Sequence, residues 1–248
     1  MTHYLIEFRF FGKARGKAKK LIRDVDRKCD IKLSYRPVPH VTLAGPFHTQ
    51  NEGKLVSDFN RLCKKYEVMK YKVVGFNTFK DNRVVYIDIN PSEKLDEFRW
   101  ELSKAIKSYC RLKSFDLEKK FYFHATVAMN LTHEEFKCVN KFIRKKTEPD
   151  YKHIMLRAAI IKNSRILYEY DFMLKRLLNR GEAKSKRVLA QSFKALEKYF
   201  EEGKTETSGI IKHIEKSTST KEFESKISKK GFLGRLTNAI RKRKFFFK

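Results

Sequence analysis

Long apolar runs are missing from this chain: none approaches the ~20 residues that a membrane-spanning helix needs. The start, Met1-Thr2-His3-Tyr4-Leu5, carries no basic leader and no apolar stretch, so a secretory signal is not expected. Cysteine is scarce, with four in 248 residues. Cys29, Cys63, Cys110 and Cys138 stand far apart, with no CxxC pair and no zinc-ligand spacing. The expectation is reduced thiols in a cytoplasmic protein. Acidic residues are also few, 29 against 57 Lys and Arg, for a net charge of +28. The excess is spread along the chain, with 38 basic and 21 acidic residues over 1–178 and 19 and 8 over 179–248. Such a balance favours polyanions, nucleic acid first among them. A Lys-rich surface suited to heat or salt is the plainer account. What is present suffices for a core: hydrophobic residues make up 41% and include 21 Phe.

Two short segments are near copies of each other, Pro39-His40-Val41-Thr42-Leu43 and Phe123-His124-Ala125-Thr126-Val127. A strand turns its side chains to alternate faces. His40 and Thr42 therefore share one face, as do His124 and Thr126, while the apolar residues between them turn to a core. If the strands lie side by side, two imidazoles and two hydroxyls converge on one cleft. That set suits proton transfer around a phosphate. No acidic cluster accompanies these histidines, so no metal or other cofactor is expected.

The surrounding pattern repeats as well. Residues 3–11 read as an aromatic strand and 13–29 as a helix with Ala14, Ala18, Leu21, Ile22 and Val25 at helical spacing. The first HxT strand follows at 39–44, ended by Gly45-Pro46. A helix at 52–66, strands at 70–79 and 83–89, and a helix from Pro91-Ser92-Glu93 come next. The second HxT strand covers 121–129, and Thr132 with Glu135 has capping-box form for a helix reaching 145. Strands at 152–162 and 165–174 meet at Asn163-Ser164. The order predicts an α+β fold of two similar halves over residues 1–178. Residues 179–248 read as a basic, helical, partly disordered extension.

The paired motifs, PHVTLAGPF at 39–47 and FHATVAM at 123–129, resemble those of the two-histidine (2H) phosphoesterases. These comprise the LigT-type 2′-5′ RNA ligases and RNA 2′,3′-cyclic phosphodiesterases. The aromatic first strand and the closing RILYEYDFML at 165–174 fit too, and the resemblance covers about residues 1–177. It implies a bilobal, pseudo-twofold fold whose central cleft is lined by His40, Thr42, His124 and Thr126. It also implies metal-independent opening of 2′,3′-cyclic phosphate RNA ends, with 2′-phosphate as product and RNA ligation as the reverse reaction. A histidine pair can hold one neutral and one protonated ring at once. His124 is assigned as base and His40 as acid, and Thr42 and Thr126 as donors to the phosphate oxygens. Phe47, Tyr86, Tyr122 and Tyr168 are candidates for base stacking, with core packing as the alternative for each. Lys13, Arg15 and Lys17 could hold a backbone phosphate or form a solvated basic face.

The expected partner is RNA, bound by a monomer. The segment Gly231–Lys248, basic and amphipathic, could grip RNA, lie on an anionic membrane or dock on a protein. Two other functions stay open on the residues alone: a non-catalytic RNA-binding protein, and an esterase for a small cyclic nucleotide.

Overall fold

Residues 2–31 and 38–202 are described in the computed structural model. β1 (Tyr4–Arg9) buries Tyr4, Ile6 and Phe8, and α1 (Gly12–Cys29) buries Ala14, Ala18, Ile22 and Val25, the stripe that 3.6-residue periodicity requires. β2 (His40–Thr49), α2 (Glu52–Lys64), β3 (Met69–Phe79) and β4 (Val84–Pro91) follow. Next come α3 (Glu93–Ile106), the short β5 (Cys110–Arg111), a 3-10 turn at Ser114–Leu117 and β6 (His124–Ala128). α4 (His133–Ile143) begins at the anticipated capping box of Thr132 and Glu135. β7 (Asp150–Met155), β8 (Arg157–Lys162), β9 (Arg165–Asp171) and β10 (Arg176–Asn179) lead to α5 (Arg180–Lys184) and α6 (Lys186–Glu201).

The strands form two antiparallel sheets, β10-β9-β8-β1-β2-β5 and β6-β4-β3-β7. This is the α+β, two-halved architecture, with one HxT strand in each sheet. The two HxT strands are close without being hydrogen-bonded neighbours: β2 is inside the first sheet and β6 is at the edge of the second. Among the described residues no helix is long and apolar enough to cross a membrane.

Several details correct the sequence reading. Gly45-Pro46 does not end the first HxT strand. β2 continues to Thr49 because the pair forms a bulge against β1, where Tyr4 faces Phe47 and Ile6 faces Ala44. Gly45 has φ +105, and a Cβ there would meet Tyr4 O at 3.0 Å, so only glycine fits. Residues 152–162 are not one strand. The run breaks at buried Leu156, so that β7 pairs with β3 in one sheet and β8 with β1 in the other. The thiols are not all reduced. Cys29 at the end of α1 and Cys138 in α4 form a disulfide with Cα atoms 5.9 Å apart. Cys63 and Cys110 are free and buried, and burial raises both thiol pKa values, Cys110 to about 11.

The compact unit that begins at Met1 runs to Glu206, so α5 and α6, placed in the extension by the sequence reading, pack on it. Buried Arg157 holds them: Nε donates to Asp171, Nη1 to Glu169 and to Ala183 O of α5, and Nη2 to Ser192 Oγ of α6. The amphipathic Gly231–Lys248 segment lies outside the described residues.

Candidate active site

Both motifs alternate as a strand demands. His40, Thr42, His124 and Thr126 are half-buried, while Val41, Leu43, Ala125 and Val127 are buried. The cross-strand registers are parallel in design. On the β1 side, Arg9 pairs with His40 and Glu7 with Thr42. On the β4 side, Asp88 pairs with His124 and Tyr86 with Thr126.

Each imidazole is held by the same device. His40 Nδ1 lies 2.8 Å from Val38 O, and His124 Nδ1 lies 2.8 Å from Tyr122 O. A carbonyl oxygen only accepts, so each Nδ1 carries the hydrogen, and the neutral ring keeps its lone pair at Nε2. Two rings with matched tautomers thus keep Nε2 clear of the backbone.

Contacts between the halves support this pair. Gly45 N, in the bulge of β2, donates to Asp116 Oδ1 at 3.2 Å. Asp116 belongs to the turn that leads into β6. The same stretch is clamped by buried Arg99, which donates to the carbonyls of Phe115, Asp116 and Glu118 and stacks over Phe121 at 3.9 Å. Ile89 N donates to Phe123 O, which fixes the residue before His124.

The electrostatics of the two rings differ. Burial lowers the His124 pKa below the usual histidine value. The bond to Tyr122 O opposes that, His40 adds to it by charge repulsion, and Asp88 opposes it again. The two motif strands, β2 and β6, pack against each other. Phe79 and Tyr86 lie against His124, each with ring centroids 5.1 Å away. His40 has a different neighbour: Glu7 Oε2 is 3.7 Å from its Nε2, and Glu7 Oε1 accepts from Arg9 Nε at 2.6 Å.

The aromatic candidates divide. Phe47 is 1% exposed and stacks on Tyr4 in the core, so it offers no face to a base. Tyr86 is 5% exposed and packs on His124 instead. Tyr122 is 62% exposed, next to the motif, and Tyr168 is half-buried on β9. Arg15 and Lys17 are exposed on α1, Lys13 is half-buried, and Lys17 caps the Tyr151 ring at 5.3 Å. The crowding of cations there is felt: Arg15 first, then burial and Arg23, lower the Lys19 pKa.

Glu7, Arg9 and Asp88 escaped the sequence reading. Their signal was the alternation of Glu7-x-Arg9 and Tyr86-x-Asp88, the same two-residue step as the motifs, on strands that turn out to pair with them. Among the described residues, no group of three or more His, Cys, Asp or Glu could hold a metal ion.

A family model described as the 2′-5′ RNA ligase superfamily matches residues 14–164. No curated protein sequence matches the chain. Among solved structures it is similar to Escherichia coli LigT complexed with 3′-AMP, at 12% identity over 71% of this chain and 92% of that one, TM-score 0.41. A Thermus thermophilus protein, TT0787, aligns at 9% identity over 68% and 97%, TM-score 0.45. Kluyveromyces marxianus Usb1 with uridine monophosphate aligns at 10% identity over 66% and 95%, TM-score 0.39.

Proposed function

The chain belongs to the 2′-5′ RNA ligase superfamily, and on that premise we propose that it opens 2′,3′-cyclic phosphate ends of RNA by hydrolysis. The observation that carries this reading is the matched pair of imidazoles, each with Nδ1 tied to the carbonyl two residues back, so that Nε2 is the nitrogen that can exchange a proton with substrate.

His124 is the base. Its lowered pKa keeps the ring neutral near pH 7, which suits a proton acceptor. Water attacks phosphorus and gives its proton to His124 Nε2. The P–O3′ bond breaks, its electron pair stays on O3′, and His40 Nε2 supplies the proton. The product is a 2′-phosphomonoester with a free 3′-hydroxyl. Glu7, within ion-pair reach of His40 Nε2, is a counter-charge for the protonated acid. The Thr42 and Thr126 hydroxyls donate to the non-bridging oxygens as charge builds there. A ribose 5′-hydroxyl attacking phosphorus in place of water, with O3′ leaving as before, would give ligation through a 2′-5′ linkage.

RNA is the substrate class that the charge favours, and the basic residues beyond 202 add phosphate contacts in this reading. A cytoplasmic setting goes with such a substrate, and the Cys29–Cys138 bond then calls for a cytosol in which disulfides persist. The test is incubation with a 2′,3′-cyclic-phosphate oligonucleotide in the presence of a chelator. Ring opening by the wild type, lost in His40→Ala and His124→Ala, supports the proposal. Equal RNA binding with no turnover in all three proteins would make it a binding module.

A further inference from the structure

A cavity of about 230 Å³ opens beside His40 along the face of β1 that bears Glu7 and Arg9. Arg9, Glu7, Leu5 and His3 line it at two-residue steps, and Ile161 and Ser164 close it from β8 and the turn that follows. Its chemistry is graded: charged at the His40 end, apolar at Leu5 and Ile161, and hydrogen-bonding again at His3 and Ser164.

The charged end differs from the matching position beside His124. Across from His40 stands a cation, Arg9; across from His124 stands an acid, Asp88. The bond from Arg9 Nε to Glu7 uses one of five guanidinium donors and orients the plane, which leaves the Nη groups for another acceptor. A guanidinium held in that way matches the geometry of a phosphodiester.

We infer that this cavity receives the terminal nucleoside of the substrate and that Arg9 binds the phosphodiester on its 5′ side, so that polynucleotide ends are preferred over free nucleoside cyclic phosphates. The inference rests on the proposed reaction, in which the ring phosphate lies between His40 and His124 and the departing O3′ faces His40. The nucleoside then lies on the β1 side. At 230 Å³ the cavity is below the ~300 Å³ of the smallest drug-sized pockets, which suits one nucleoside. A nucleoside cyclic phosphate lacks the second phosphate that Arg9 would hold.

The experiment compares kcat/KM for a dinucleotide ending in a 2′,3′-cyclic phosphate with that for a nucleoside 2′,3′-cyclic phosphate. Arg9→Gln lowers the dinucleotide preference about tenfold, the scale of one charge-assisted contact. It also lowers the slope of log kcat/KM for the dinucleotide against log salt by ~0.7, the value for one phosphate contact on a single strand. Arg9→Lys keeps the slope and loses part of the preference. Because Arg9→Gln leaves buried Glu7 without its cation, the double variant Glu7→Gln/Arg9→Gln is run beside it and loses the same preference. Equal losses on both substrates, or an unchanged salt slope, overturn the inference. If the wild type opens neither ring, the proposed reaction fails, and the cavity is judged by affinity alone. A dinucleotide 2′-phosphate must then bind the wild type more tightly than a nucleoside 2′-phosphate, and the two must converge in Arg9→Gln; equal affinities in the wild type sink it.

Discussion

The β2 half and the β6 half of the site use one backbone device and two different settings. In both, a histidine donates from Nδ1 to the carbonyl two residues back, and a threonine follows on the same face. The strand alongside then departs from the symmetry: β1 brings Glu7 and Arg9, whereas β4 brings Tyr86 and Asp88. In the proposed reaction the repeated part does what both halves must do, which is to aim an Nε2 and a hydroxyl at one phosphate. The unlike part gives the two rings different surroundings. An aromatic, desolvated surround disfavours charge on His124, and a carboxylate–guanidinium pair stands beside His40. In the proposed reaction acid and base are thus distinguished by neighbours, since the motifs themselves are alike.

The sharpest way to break that comparison is to remove one ring at a time. His40→Ala and His124→Ala each lower kcat on a cyclic-phosphate end by roughly 10²–10⁴. On a phosphodiester with a 4-nitrophenolate leaving group, which needs no proton, His40→Ala regains most of its loss and His124→Ala does not. Recovery by the other variant would exchange the roles. Next in size, Thr42→Val and Thr126→Val are each expected to lower kcat on the order of 10²-fold with little change in KM, as for loss of one oxyanion donor. Unequal losses would show that the phosphate leans on one half.

The disulfide ties the helix that follows β1 to the helix that follows β6 across 109 residues of sequence. Reductant should lower the unfolding free energy in urea titrations by about 2–4 kcal/mol. Cys29→Ser should lose the same amount and become indifferent to reductant. The smallest effect is on pH dependence. A base with a lowered pKa stays competent into mildly acidic solution, so the acid limb of kcat/KM is shifted below the ordinary histidine value. Asp88 raises the His124 pKa, so Asp88→Asn moves that limb to still lower pH. His40 lowers it, so His40→Gln, followed on the 4-nitrophenyl ester, moves the limb upward.

The HxT strands were legible because strand period and apolar patterning coincide in five residues. The helix starts at Ser92 and Thr132 were legible for a similar reason, since capping chemistry is local. What stayed hidden depends on pairing between distant segments. Glu7 and Arg9 gain meaning only when β1 meets β2 in this register. Cys29 and Cys138 carry no spacing signal and meet because α1 and α4 pack together. Gly45-Pro46 resembles a stop because a bulge is invisible until the partner strand is known. The change of sheet at Leu156 leaves no mark either, for the stretch Ile154–Ile161, apolar but for Arg157, contains no Gly or Pro to punctuate it.

That seam has a consequence for tolerance to length change. Met155 ends its strand in one sheet and Arg157 opens the next strand in the other, so Leu156 alone sets the phase between two alternating patterns. Deleting Leu156 would invert every side chain of β8 relative to β7. Ala158 and Ile160 would leave the main core, and Ala159 and Ile161 would be driven into it from the small cluster on the opposite face. The same deletion at the bend of residues 80–83, an exposed four-residue turn between β3 and β4, would meet a surface loop that can absorb it. Natural insertions and laboratory grafts should therefore accumulate at that bend and avoid the seam.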